Sequence, residues 1–88
     1  MKIAFDPAKD ITNRAKHGMS LADGELIFGD PDHLIIPSIR RIDGEERYKI
    51  LGLIDGRLHT AIFVWRGNSV RFISVRRSND GEARAYSS

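Results

Sequence analysis

Between Arg47 and Arg77 the chain is written as strands, and two short breaks divide it into three. Arg47 to Ile54 reads as a strand, and Asp55-Gly56 is a strong two-residue hairpin signal because both positions tolerate the left-handed backbone that such a turn requires. Arg57 to Trp65 is the return strand. Its Leu58, Thr60, Ile62 and Val64 fall on one face, and His59, Ala61, Phe63 and Trp65 on the other. Arg66-Gly67-Asn68 makes the next turn, and Ser69 to Arg77, rich in Val, Phe and Ile, is the last strand. A meander of this kind leaves an apolar face that other elements must cover.

The first part of the chain supplies them. Lys2 to Phe5 is a short strand, and Asp6-Pro7 opens a helix predicted to run to about His17, with Gly18 as its left-handed cap. Ser20 with Asp23 resembles a capping box, so a second helix is expected to about Phe28, weakened by Gly24 in its middle. His33 to Ile36 is a short apolar strand that Pro37 marks as an edge, and Ile39 to Glu45 is a polar, charged loop. Ser78 or Asn79 can cap a last short helix through Tyr86. The order β-α-α-β-β-β-β-α implies an α+β fold, a small antiparallel sheet packed by helices on one face. With 88 residues, a single domain spanning the chain is expected.

Composition narrows the function classes. Cys is absent, which excludes disulfides, thiolate nucleophiles and Cys-based zinc sites, and fits a reducing compartment. No run approaches the roughly 18 apolar residues of a membrane span, and the first residues lack the apolar stretch of a signal peptide, so the expectation is a cytoplasmic protein without membrane contact. Residues 1–38 carry four Lys/Arg against six Asp/Glu, whereas residues 39–88 carry ten against six, and nine of those ten cations are Arg. Arginine suits planar phosphate recognition; a solvated, salt-bridged surface has the same composition. His17, His33 and His59 are widely spaced, with no His-x-x-x-His pair, so no metal or other cofactor is expected.

Five groups of residues occur together in an informative order: Asn13-x-x-Lys16-His17-Gly18, Phe28-Gly29-Asp30-Pro31, Gly44-Glu45-Glu46-Arg47-Tyr48, Arg66-Gly67 leading to Ser74-Val75-Arg76-Arg77, and Glu82-x-Arg84-x-Tyr86. Together they resemble the BrnT toxin family over nearly the whole chain. The resemblance implies a RelE-like fold and an endoribonuclease that arrests growth by cutting RNA. It also implies a small, DNA-binding, BrnA-like antitoxin that sequesters the toxin and is its only route to operator DNA. Two positions depart from the family pattern: Asp80-Gly81, where relatives carry basic or helix-favouring residues, and His59, in a strand that is otherwise apolar.

Ribonucleases of this class use the ribose 2′-OH as nucleophile, so the protein must move a proton and stabilise charge on the phosphate. Arg76 and Arg77 are the first candidates for a phosphate clamp, although strand alternation sends them to opposite faces. Arg66 is a further candidate, but the Gly67 turn places it near the start of the last strand rather than its end. His17 can carry a proton, or with Lys16 simply complement the helix dipole. Trp65 can stack on a base or pack beside Phe63. Arg47 and Lys49, two apart on one strand face, can meet RNA or decorate a half-exposed strand. Tyr86, on one helix face with Glu82, can pack the last helix or reach a phosphate. Two other readings stay open: a degenerate toxin that only binds its antitoxin, and a nucleic-acid binder without a partner.

Overall fold

A computed structural model describes residues 1–38 and 46–88, so the polar loop expected from Ile39 to Glu45 lies outside the described residues. The elements are β1 (Lys2–Ala4), α1 (Pro7–His17), a 3₁₀ turn (Leu21–Asp23), α2 (Gly24–Phe28), β2 (Leu34–Ser38), β3 (Arg47–Ile54), β4 (Arg57–Arg66), β5 (Ser69–Arg77) and α3 (Asp80–Ser87). The five strands form one sheet in the order β1-β5-β4-β3-β2.

Local chemistry sets most boundaries. Asp6 accepts from the Ala8 N–H at the start of α1, Pro7 occupies the first turn, and Gly18 ends the helix in the left-handed conformation. Asp55 and Gly56 both have positive φ, 51° and 77°, as a tight hairpin turn demands. Asn79 and Glu82 form a reciprocal capping box at the start of α3. The expected second helix is divided: Ser20 and Asp23 cap a 3₁₀ turn, and α2 begins only at Gly24. A Cβ at Gly24 would lie 2.5–2.7 Å from the Phe72 ring, so glycine is there to let the turn lie against β5.

Two features correct the sequence-based picture. The sheet is mostly antiparallel, but β1 joins β5 in parallel, because the chain passes through both helices before the meander begins and returns beside its first strand. The helices also cover both faces rather than one. Leu21 and Ile27, from the 3₁₀ turn and α2, pack on Ile50, Ala61, Phe63, Val70, Phe72 and Val75 in one buried cluster. Glu82 of α3 instead bonds Lys49, Thr60 and Arg76, which alternate with those core positions and so point the other way.

Strand β5 contains a bulge. Ile62 pairs with Ser74 and Phe63 with Phe72, which leaves Ile73 as an extra residue. The bulge reverses the parity of the strand: Val70 and Phe72 point into the core before it, and Val75 after it. Arg71, Ser74 and Arg76 consequently share the face opposite the core. Beyond β1 the backbone edge of β5 is open, and Asn13 of α1 fills it. The Asn13 side chain accepts from the Val75 N–H at 3.1 Å and donates to the Val75 carbonyl at 2.8 Å, as a neighbouring strand would.

Candidate active site

The face of the sheet opposite the core carries a row of cations. Lys49 lies beside Ile62, Arg71 beside Val64, and Arg76 beside Thr60, with Arg47 two residues from Lys49 on the same face. All four side chains come from β3 and β5, and β4 between them contributes Thr60, Ile62 and Val64. Arg47 Nε is buried without a hydrogen-bond partner among the described residues.

Glu82 organises one end of this row. Its carboxylate accepts from Arg76 through both Nη atoms, at 2.7 and 2.8 Å, and from Lys49 Nζ at 3.2 Å. It also accepts from Thr60 Oγ1 at 3.0 Å and from the Asn79 N–H at 2.9 Å. Burial alone would raise the pKa of this carboxyl group. The Arg76 pair, the Asn79 N–H and Lys49 outweigh burial and hold it at about 2. Glu82 is therefore an anion at any physiological pH and a poor proton acceptor. Its bidentate bonds fix the Arg76 guanidinium in one plane and raise the arginine pKa further.

His17 approaches from the rim. It ends α1 and lines a groove with Lys9, Thr12, Asn13, Lys16 and the bulged residues Ile73 and Ser74. Its pKa is lowered, first by burial and then by the charges of Lys16 and Arg76. A histidine below its ordinary value is predominantly neutral near pH 7, the form that accepts a proton.

The remaining sequence candidates lie elsewhere. Arg77 is exposed and points to the face opposite Arg76, as alternation requires. Arg66 pairs with Ser69 whereas Thr60 pairs with Arg76. The intervening stretch of β4 spans about 20 Å at strand spacing, so Arg66 stands apart from the Glu82 cluster. Trp65 is at that same far end, half exposed, with its ring edge against buried Phe63 at a centroid distance of 5.3 Å. Tyr86 donates its hydroxyl to Asp30, which also accepts from the Leu53 and Asp32 N–H groups; the bond pushes the Tyr86 pKa up to about 12. Tyr86 thus fastens the end of α3 to the turn after α2.

Sequence reasoning overlooked the roles of Glu82, Arg71, Asn13 and Asp30. The Asn79-x-x-Glu82 capping signature was a usable signal for the first. Asn13 and Asp30 stand in the groups of residues that carry the family resemblance, but their bonding partners are up to 62 residues away, and nothing local marked Arg71. Among the described residues no group of three or more His, Cys, Asp or Glu converges, and no helix is long and apolar enough to cross a membrane.

Comparison with curated proteins returned no match. A family model described as "Ribonuclease toxin, BrnT, of type II toxin-antitoxin system" matches residues 5–82. That span holds the whole cationic face, His17 and Glu82. The chain belongs to the BrnT family of ribonuclease toxins of type II toxin–antitoxin systems.

Proposed function

We propose that this chain is a metal-independent endoribonuclease that works on the cationic face of its sheet. The observation that carries the reading is the meeting of Arg47, Lys49, Arg71 and Arg76 on one face with His17, lowered in pKa, at the β5 rim. In this reading the RNA backbone runs along the row, its phosphates on Arg47, Lys49 and Arg71. His17 takes the proton of a ribose 2′-OH, whose oxygen attacks the adjacent phosphorus. The P–O5′ bond breaks, the 5′-oxygen leaves with a proton from solvent, and a 2′,3′-cyclic phosphate remains. Arg76, held in plane by Glu82, offsets the charge that builds on the phosphate. Arg77, on the other face, has no part in the step.

In the cell this activity arrests growth, and a small BrnA-like, DNA-binding antitoxin neutralises it and alone contacts operator DNA. The test is cleavage of single-stranded RNA by purified protein in excess chelator. Activity is expected to persist in the chelator and to fall about 10²–10⁴-fold in His17→Ala. Arg76→Lys should fall steeply, whereas Arg77→Ala should stay near wild type. Full activity in His17→Ala overturns the assignment of the base, and loss of activity in chelator overturns metal independence.

One observation favours a second reading. Both Nη atoms of Arg76 are already bonded to Glu82, as in a purely structural ion pair. If the face only binds the antitoxin, the purified chain forms the complex but cleaves no RNA, and its induced expression leaves growth unimpaired.

A further inference from the structure

The far end of β3 and β4 holds a second cleft, lined by Glu46, Tyr48, Val64, Trp65 and Arg66, for which the cleavage step has no use. Two of its walls are aromatic and both rest on the same buried ring. Tyr48 stacks on Phe63 at 5.7 Å with 27° between planes, and Trp65 meets Phe63 edge-on at 5.3 Å and 90°. Trp65 is nevertheless 50% exposed. A large aromatic surface held rigid and left open to solvent is a platform on which a planar ring can stack at little entropic cost. Beside it, Tyr48 donates its hydroxyl to Glu46 Oε2 at 3.0 Å, which orients the carboxylate.

A carboxylate offers acceptors only. Among the four RNA bases, guanine alone presents two adjacent donors on its Watson–Crick edge, N1–H and N2–H₂. Adenine and cytosine each pair one amino donor with a ring-nitrogen acceptor, and uracil flanks its single N–H with two carbonyls. Arg66 lines the same cleft, and its positive charge favours an anionic nucleotide. Val64, on the cleft wall, pairs with Arg71, but Trp65 and Tyr48 share the face of Phe63, so the cleft lies at the strand end, on the side of the sheet opposite the cationic row. Trp65 and Thr60 are separated by about 16 Å of strand and point to opposite faces, so an RNA that meets both this cleft and Arg76 passes around the end of β4 with a few nucleotides between them.

From this arrangement we infer that the Glu46–Trp65 cleft is a nucleobase subsite selective for guanine, with Trp65 stacking on the base and both Glu46 oxygens accepting from N1–H and N2–H₂. The inference rests on the reading of the sheet face as an RNA surface, and it adds a sequence preference to it.

Trp65 is the only Trp in the chain, so its fluorescence reports on this cleft alone. Titration of the full chain with GMP, AMP, CMP and UMP, corrected for nucleotide absorbance, is expected to show quenching by GMP at roughly tenfold or more lower concentration than by the others. Glu46→Gln, an exposed substitution that replaces one acceptor with a donor, should abolish that preference while keeping the fold. Equal quenching by all four nucleotides, no quenching by any, or an unchanged preference in Glu46→Gln overturns the subsite. Cleavage by the wild type beside His17→Ala separates the two readings. Guanine preference in a wild type that cleaves no RNA, or whose cleavage is unchanged in His17→Ala, keeps the subsite and discards the mechanism; cleavage that His17→Ala abolishes, without guanine preference, does the reverse.

Discussion

The two faces of the sheet are covered by different physics. On one, the 3₁₀ turn and α2 bury Leu21 and Ile27 against Phe63, Phe72 and their neighbours, an attachment that is apolar, non-directional and additive in area. On the other, α3 is fastened at two points, where Glu82 gathers Arg76, Lys49 and Thr60, and where Tyr86 reaches Asp30. The apolar face answers to volume, the polar face to charge and pH. A toxin that must meet both RNA and an antitoxin can keep its frame on the first while the charge of its cationic face depends on the second.

The sharpest test of this contrast is Phe63→Ala. Phe63 is fully buried and touches Phe28, Tyr48, Trp65 and Phe72, so its truncation should cost about 3–5 kcal/mol in denaturant unfolding, at acid and neutral pH alike. If α3 melts before the core in that variant, the two layers are less coupled than one sheet implies.

Glu82→Ala should come next, at about 3 kcal/mol, because it leaves Arg76, Lys49 and the Asn79 N–H without their anion. The same residue gives the polar face its pH dependence. Its folded pKa, about 2, lies below the ordinary 4.5, so its contribution is complete above about pH 5 and disappears as pH falls through the folded value. Acid titration of wild type should show a loss on the order of 3 kcal/mol over that window, and Glu82→Gln should flatten it. An unchanged acid limb in Glu82→Gln would move the effect to Asp10 or Asp30, whose pKa values are lowered by the Leu21 N–H and by Tyr86 respectively.

Asn13→Ala probes the boundary between the regions, since it removes polar bonds from the edge of the apolar face. Three bonds are lost, to the Val75 N–H, the Val75 carbonyl and the Met19 carbonyl, and a cost of about 2 kcal/mol is expected. Hydrogen exchange at the Val75 amide should rise more than at Ile50. Tyr86→Phe should have the smallest effect. It should fray the end of α3 without moving the unfolding midpoint much, and it should remove a phenol that ionises only near pH 12. That phenol's stabilising bond is complete below its ordinary pKa of 10.0 and is lost as pH rises toward 12.

Legibility in the sequence followed the range of the interactions. The bounds of α1, β3 and β5 and the Asp55-Gly56 turn were readable because caps, alternation and turn chemistry act over a few residues. The placement of α3 on the opposite face was not, because it depends on Glu82 finding Lys49, 33 positions earlier in the chain. Nor was the parallel seat of β1 on β5, which is settled by the whole chain between them. The candidate site divided in the same way. Arg47, Lys49 and Arg76 were named from strand pattern and family resemblance, but their company with Arg71 depends on a bulge that has no signature in Phe72-Ile73-Ser74.

That bulge gives β5 one residue of slack. Arg71 and Arg76 are five positions apart, a spacing that a regular strand would send to opposite faces. Removing Ile73 would restore plain alternation while Val70, Phe72 and Val75 all still point inward. Shortening a central strand is normally among the harshest edits a small protein can suffer. Here the shortened chain should still fold, with a flatter sheet and without the Ile73 side chain that lines the His17 groove. Folding and the shape of the cationic surface would then be separable by a single codon.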